Sequence, residues 1–302
     1  MADPLTIETT GVRKRYGGVE AVRGLDLAVP AGSLCGFLGR NGAGKTTTIK
    51  ILLGMVRPTG GAARVFGLPA DAPAGSLAIR RRTGYVSEEK DLYDYMTVEE
   101  MVRFTARFFP RWRRDLEQRY LQRFELPLVA RVKALSRGTR TMLALLLALC
   151  RGADLLILDE PTAGLDPAVA EDVLQALVAH VASGDGTTVF FSSHQIAEVE
   201  QIADRVAVVD RGRVVVSGLL DDLRERYCRV QIVFDGAAPE AAFRTPGVAR
   251  VQRTGRVLTV TSSAGAGPVL AEARTLGPAS VEVVPITLKD IFLESVAAQR
   301  ED

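Results

Sequence analysis

Residues 5–30 alternate apolar and polar side chains with a period of two, broken by turn signals at Gly17-Gly18 and Pro30-Ala31-Gly32. That period puts successive side chains on opposite faces and predicts two strands. Ser33–Leu38 is a short apolar run; a glycine-rich loop follows, and Lys45–Met55 then carries helical spacing. Together they read as a strand–loop–helix unit. Short strands are expected at 62–67 and 83–87. Between 97 and 126 the period lengthens: Val98, Met101, Val102, Thr105 and Phe108-Phe109, then Leu116, Tyr120, Leu121 and Phe124, fall at helical spacing. Beyond it, strands at Leu155–Leu158, Thr187–Ser192 and Val206–Asp210 alternate with helices at 167–182 and 195–203. Arg213–Ser217 closes a hairpin across Arg211-Gly212. Such alternation points to a mainly parallel sheet. The last segment has its own pattern: strands at Val230–Phe234, Val248–Gln252, Val257–Thr261 and Val281–Val284, helices at 238–244 and 267–276, and a final helix at 287–298. The order β-α-β-β-α-β is a ferredoxin-like α+β arrangement. Its boundary is expected near Arg224.

Composition narrows the class. The chain has 302 residues, 47% of them apolar and 25% charged. A chain of this length buries about three quarters of its unfolded surface, and disordered, collagen-like and coiled-coil classes are excluded. A net charge of +2 is too balanced to mark a nucleic-acid binder. Charge is uneven locally: Glu99–Arg140 holds eleven basic and five acidic residues. That face is either simply solvated or placed near anionic headgroups. Cys35, Cys150 and Cys228 form no close pair, which fits a reducing compartment. His180 and His194 are too few for a His-rich metal site. The longest apolar run, Met142–Cys150, falls well short of the roughly twenty residues of a membrane span, and the first residues carry no signal pattern. A cytosolic chain is expected, unless a partner holds it elsewhere.

The chemistry lies in two loops. Gly39-Arg40-Asn41-Gly42-Ala43-Gly44-Lys45-Thr46 matches GxxxxGK[ST], after an apolar strand and before a helix. Glycines let the backbone curl so that successive N–H groups point at phosphate oxygens, and the helix N-terminus adds partial positive charge. Lys45 would neutralise the β- and γ-phosphates, and the Thr46 hydroxyl would ligate Mg²⁺. Leu155–Leu158 ends in Asp159-Glu160. With the phosphate loop beside it, Asp159 would hold Mg²⁺ through its water shell and Glu160 would act as general base on the attacking water.

The order of motifs over residues 5–220 resembles the nucleotide-binding subunit of an ABC transporter. Leu135-Ser136-Arg137-Gly138-Thr139-Arg140 stands where that family has its LSGGQ signature; Ser136 and Gly138 match, while Arg137 replaces a glycine and Thr139 the glutamine. Ala163-Gly164-Leu165-Asp166 resembles the D-loop, and Ser192-Ser193-His194 the switch histidine. Tyr16 stands where the family stacks a ring on adenine. Glu88, after Gly84-Tyr85-Val86-Ser87, stands where the family places a glutamine. The stretches Phe108–Trp112 and Leu126-Pro127-Leu128 resemble the bacitracin-resistance and YtrB-like exporter branch.

The resemblance implies an α/β P-loop NTPase of ABC ATPase type: a mainly parallel sheet core, an antiparallel β subdomain and a helical insertion, with a small C-terminal α+β domain. The expected organisation is 1–224 for the ATPase, its helical subdomain at about 90–140, and 225–302 for the accessory domain. ATP contacts are implied at Tyr16, Gly39, Arg40, Asn41, Gly42, Ala43, Gly44, Lys45, Thr46, Thr47, Glu88 and His194. Ser136, Gly138 and Asp166 would serve the site of a second subunit. Metal contacts are implied at Thr46, Asp159 and Glu88, and catalysis at Lys45, Glu160 and His194. The partners implied are a second copy or a homologous ATPase subunit and separate transmembrane permease subunits, with the chain on the cytoplasmic side of the membrane and export favoured. Two rivals stay open: a soluble ABC-type ATPase acting on DNA or ribosomes, and a regulatory module that keeps the fold without turnover.

Overall fold

The computed structural model describes residues 4–184, 186–240 and 243–301, and divides into two compact units, Met1–Val214 and Val215–Asp302. The division falls ten residues before the expected boundary at 224/225, so the helix at 220–226 belongs to the second unit.

The first unit opens with an antiparallel sheet of β1 (Leu5–Tyr16), β2 (Val19–Pro30), β4 (Gly60–Val65) and β5 (Leu68–Pro69) in the order β2-β1-β4-β5. Its alternation buries Ile7, Val12, Val22, Leu25, Leu27 and Val29 on one face. A second sheet contains β3 (Leu34–Leu38), β6 (Thr83–Val86), β7 (Leu155–Leu158), β8 (Thr188–Ser193), β9 (Arg205–Asp210) and β10 (Arg213–Leu219), in the order β10-β9-β3-β8-β7-β6. The pairs β3/β8, β3/β9, β7/β8 and β6/β7 are parallel. Every residue of β3, β7 and β8 is buried, as expected of strands covered on both faces. Parallel pairing brings the C-terminal ends of β3, β6, β7 and β8 to one edge, where ligands bind in open α/β sheets.

Helices α1 (Lys45–Leu52), α2 (Pro73–Arg82), α6 (Pro167–Ala182) and α7 (Ile196–Ile202) connect these strands. The helical segment holds α3 (Val98–Ala106), α4 (Arg114–Arg123) and α5 (Arg137–Leu149). A capping box starts α3: the Glu100 amide donates to Thr97 Oγ1 at 3.2 Å and the Thr97 amide to Glu100 Oε2 at 2.8 Å. The helical pattern expected through 97–126 is interrupted at 107–113, where Pro110 lacks the N–H that a continued helix needs. Thr141 through Leu149 of α5 are all buried, because that helix packs on β6, α3, α4 and α6.

The second unit contains α8 (Leu220–Arg226), β11 (Cys228–Val233), β12 (Val248–Thr254), β13 (Val257–Ser262), α9 (Ala266–Arg274), β14 (Ser280–Val284) and α10 (Leu288–Glu301). Its antiparallel sheet runs β12-β13-β11-β14 over a core of Val230, Ile232, Leu258, Val260, Val269 and Ala273. This is the strand order of a ferredoxin-like unit, but one expected helix is not found among the described residues. The described residues of 238–244 carry no helix, and Ala241 and Ala242 lie outside the described residues. Amides in and beside this segment bond elsewhere: Arg244 N and Thr245 N donate to the Glu272 carboxylate, and Ala238 N to Gly255 O.

Candidate active site

The phosphate-type loop leaves β3 at Gly39 and enters α1 at Lys45. Gly44 sits at φ 103°, and a Cβ there would lie 2.6 Å from Ala21 O. A Cβ on Gly39 would lie 2.5 Å from Val209 O. Both obstacles are backbone, so these two positions accept only glycine. The turn after β9 secures the loop from behind: Gly212 N donates to Ala43 O at 2.9 Å. No side chain caps α1 and no acidic residue stands in its first turn. Its leading N–H groups are therefore available to an anion.

Lys45 is buried. Its Nζ donates to Gly39 O at 2.7 Å and Arg40 O at 3.3 Å, and pairs with Glu160 Oε1 at 3.0 Å. Glu160 Oε2 lies 2.8 Å from His194 Nδ1. The three residues predicted to be catalytic thus meet through one carboxylate, brought together from α1, the end of β7 and the end of β8. Asp159 and Glu160 are 1% and 5% exposed. Asp159 N continues the β7 ladder to Val86 O at 2.8 Å. Glu160 then takes φ 48°, a left-handed conformation that costs a non-glycine residue about 1–3 kcal/mol. Buried hydrogen bonds hold that bend. The Ser192 hydroxyl donates to Asp159 Oδ1 at 2.7 Å and accepts from Glu160 N at 2.9 Å.

These groups border a cavity of about 460 Å³. Of the predicted set, Asn41, Gly42, Gly44, Lys45, Thr46 and Thr47 line one side, and Glu88, Glu160 and His194 the other. Gly39, Arg40 and Ala43 do not line it; Gly39 and Ala43 hold the loop through their backbones, and the Arg40 side chain is exposed. Asp159 sits behind the wall, buried on Ser192. Tyr16 ends β1 with 47% exposure, the Lys14 ammonium 4.9 Å from its ring centre. Ser136, Gly138 and Asp166 are also away from the cavity, and two of them cap helices. Ser136 Oγ accepts from Thr139 N at the start of α5, and Asp166 Oδ1 from Val169 N at the start of α6. Gly138 packs against Val169, and the Arg137 guanidinium lies directly on Gly164, where any side chain would collide with it.

Two residues of the site escaped the sequence reading. Ser192 was noted as part of a strand-end motif; its bridging of Asp159 and Glu160 depends on β7 and β8 being parallel neighbours, which no local pattern states. Lys90 lies in the loop after β6, 6% exposed, with Nζ donating to the Glu160 backbone oxygen at 3.0 Å. A lysine in a charged loop carries no signal of burial. Burial, helped by the nearby Arg137 charge, pushes its amine down to about 8.

The residues present fit a nucleotide's phosphate chain. The loop is a cradle that side chains would fill, Lys45 supplies a buried ammonium at its floor, and the α1 N-terminus is uncapped. Thr46 lines the cavity with a hard oxygen donor, and Asp159, buried behind it, would reach Mg²⁺ through water, the kind of shell that cation keeps.

Comparison with known proteins gives the same picture. The family described as ABC transporter matches residues 22–163. A daunorubicin/doxorubicin resistance ATP-binding protein (DrrA) of Streptomyces peucetius is 40% identical over 227 residues, 72% of this chain and 66% of that protein. The chain thus spans just under two thirds of that relative's length. A Nod factor export ATP-binding protein I of Cupriavidus pinatubonensis is 34% identical over 306 residues, 98% of this chain and 92% of the relative. The ABC transporter ATP-binding protein YtrB of Bacillus subtilis is 26% identical, over 97% of this chain and 99% of its own. Among solved structures, an ATP-binding subunit of an ABC transporter superposes with a TM-score of 0.64 at 30% identity, covering 72% of this chain and 92% of the other.

Proposed function

The chain belongs to the ABC transporter ATP-binding family, and on that premise we propose that it binds ATP with Mg²⁺ and hydrolyses it as a dimer to drive transport through separate membrane subunits. The observation that carries the proposal is the convergence of Lys45, Glu160 and His194 at the mouth of the glycine loop, at 3.0 and 2.8 Å. Lys45 and the amides of 42–46 hold the β- and γ-phosphates. His194 reaches the γ-phosphate from the end of β8. Glu160 accepts the proton of the water that attacks the γ-phosphorus, and ADP leaves. Thr46, with Asp159 acting through water and Glu88 at the cavity wall, would hold Mg²⁺, which when bound would offset the negative charge of the phosphates. A γ-phosphate competes with Glu160 for Lys45, so nucleotide entry loosens the ion pair and frees the carboxylate for its role as base.

A dimer follows from where the remaining motif residues sit. Ser136, Gly138 and Asp166 lie at helix N-termini away from the cavity, and a second copy, or a homologous ATPase subunit, brings them to the open side of the phosphates. Among the described residues no helix is long and apolar enough to cross a membrane; in the proposed assembly separate permease subunits supply the path. Their docking face is the helical segment. There Tyr93, Tyr95, Phe104 and Phe108 form a run of ring contacts at 5.0 to 5.8 Å, with Tyr95 66% and Phe108 63% exposed. An exposed aromatic run of this kind suits a partner helix. On this reading the chain works at the cytoplasmic side of the membrane, held there by its permease subunits. Export is the direction proposed, supported by the relative that is a Nod factor export ATP-binding protein. The relatives favour this reading over a soluble ATPase acting on DNA or ribosomes.

The test is Glu160→Gln. It is expected to bind ATP more tightly than the parent, because Lys45 loses its competing anion, to turn over about a hundredfold or more slowly, and to accumulate as a dimer in ATP. A variant that hydrolyses ATP at the parent rate refutes the assignment of the base.

A further inference from the structure

Lys90 has a place in the site that no motif accounts for. Its ammonium spans from the loop after β6 to the carbonyl of Glu160, 70 positions away in sequence, and is buried in doing so. Both ends of this bond are left-handed: Lys90 at φ 52° and Glu160 at φ 48°. Lys90 N closes a turn onto Ser87 O at 3.2 Å, which aims the side chain inward. The other end of the loop is fastened to the first turn of α5. Arg140 Nε donates to Lys90 O at 3.2 Å and Nη2 to Leu92 O at 3.4 Å, while Nη1 pairs with Asp94 Oδ1 at 2.8 Å. One continuous path therefore runs from α5 through Arg140 and the 90–94 loop to the Glu160 main chain. The same turn of α5 sends Arg137 onto Gly164.

We propose that Lys90 is a positioning residue for Glu160, fixing its left-handed main chain so that the carboxylate stays between Lys45 and His194, and linking that geometry through Arg140 to the helical segment. The physical reason lies in the bend itself. A non-glycine residue at positive φ relaxes toward negative φ when its peptide groups are released, and that rotation swings the side chain away from both partners. Ser192 pins the amide side of Glu160. On the carbonyl side Ala163 N closes a local turn onto Glu160 O at 3.2 Å, and Lys90 is the bond that ties that same oxygen to the loop after β6. Motion of α5 relative to the sheet then reaches Glu160 by a named set of bonds.

The proposal rests on Glu160 acting as the base, and the experiment separates the two ideas. The full 302-residue chain is compared with Lys90→Met, Lys90→Arg, Glu160→Gln and the double variant Lys90→Met/Glu160→Gln, measuring kcat, KM and the affinity for a fluorescent ATP analogue. Lys90→Met is expected to lower kcat by about tenfold while KM and analogue affinity stay within about twofold, the pattern of an interaction that matters to the transition state. Lys90→Arg, which keeps a cationic donor, recovers most of the rate. The double variant is no slower than Glu160→Gln alone, because both changes disable one function. A slow Glu160→Gln beside a Lys90→Met of parent kcat overturns the role of Lys90 alone. So does a Lys90→Met that loses rate and affinity together without rescue by arginine, since that is the behaviour of a lysine that only fills space. A Glu160→Gln as fast as the parent removes the base assignment and the role of Lys90 with it.

Discussion

Ser192 shows how much one hydroxyl arranges at this site. It donates to Asp159 Oδ1 and accepts from Glu160 N, and all three residues are buried. Removing it leaves an acceptor and a donor without partners in a place water does not reach, which costs about 1–3 kcal/mol each. Ser192→Ala is therefore expected to lower unfolding free energy by a few kcal/mol, on the order of the two groups it strands, and to reduce kcat, because Glu160 loses its amide anchor. Chemical denaturation checks the first effect and steady-state ATPase kinetics the second. A variant with parent stability contradicts the bridging role. Residues whose meaning is local were legible beforehand: Gly39 through Thr46 declare themselves by spacing, and Asp159-Glu160 by ending an apolar strand. Ser192 and Lys90 were not, because their meaning comes from strands and loops far away in sequence.

Elements were legible where one period dominates. The alternation of β1 and β2, the apolar runs of β3 and β7, and the stripe of α6 all fold as their patterns predict. Helix α2 was missed because Pro73–Arg82 ends in Arg80, Arg81 and Arg82 and presents little apolar periodicity. The helix expected at 238–244 does not form at its described residues, because Glu272 on α9 takes the amides of Arg244 and Thr245. Sequence patterning cannot see such competition. The join between helical segment and sheet core carries a testable pH dependence. Asp154, just before β7, pairs with Arg82 at the end of α2 at 2.7 Å and with Arg111 in the α3–α4 connection at 2.8 Å. Burial alone would raise its pKa, but hydrogen bonds and charge from Arg82 and Arg111 outweigh that and hold the carboxyl below its usual range. A depressed folded pKa adds stability above the unfolded pKa, and that stability is lost as pH falls through the folded value. Both arginines are partly exposed to solvent, so screening limits the worth of the pairs. Asp154→Asn is expected to cost about 1 kcal/mol at neutral pH, with the gap from the parent closing in acid. Urea melts at several pH values read this directly; a gap that widens in acid refutes it.

The whole molecule joins an ATPase unit, whose parallel sheet gathers loops from β3, β6, β7 and β8 at one edge, to a second unit with its own antiparallel sheet and core. Two units were expected from the change in pattern near Arg224; the contacts divide the chain at Val214/Val215, within β10. The cavity is bordered by Lys45, Thr46, Glu160 and His194, the groups proposed to bind and cut a triphosphate, while Ser136, Gly138 and Asp166 stand apart from it. On the proposed reading one protomer carries two half-sites, and a second protomer would close them. The most direct measurement is the specific ATPase rate of the parent chain as its concentration rises from nanomolar to tens of micromolar, with sedimentation run in parallel on the same samples with ATP. The account predicts a specific rate that climbs with concentration and levels off as the dimer fills. A specific rate that is constant throughout, in samples that sediment as monomer, contradicts it.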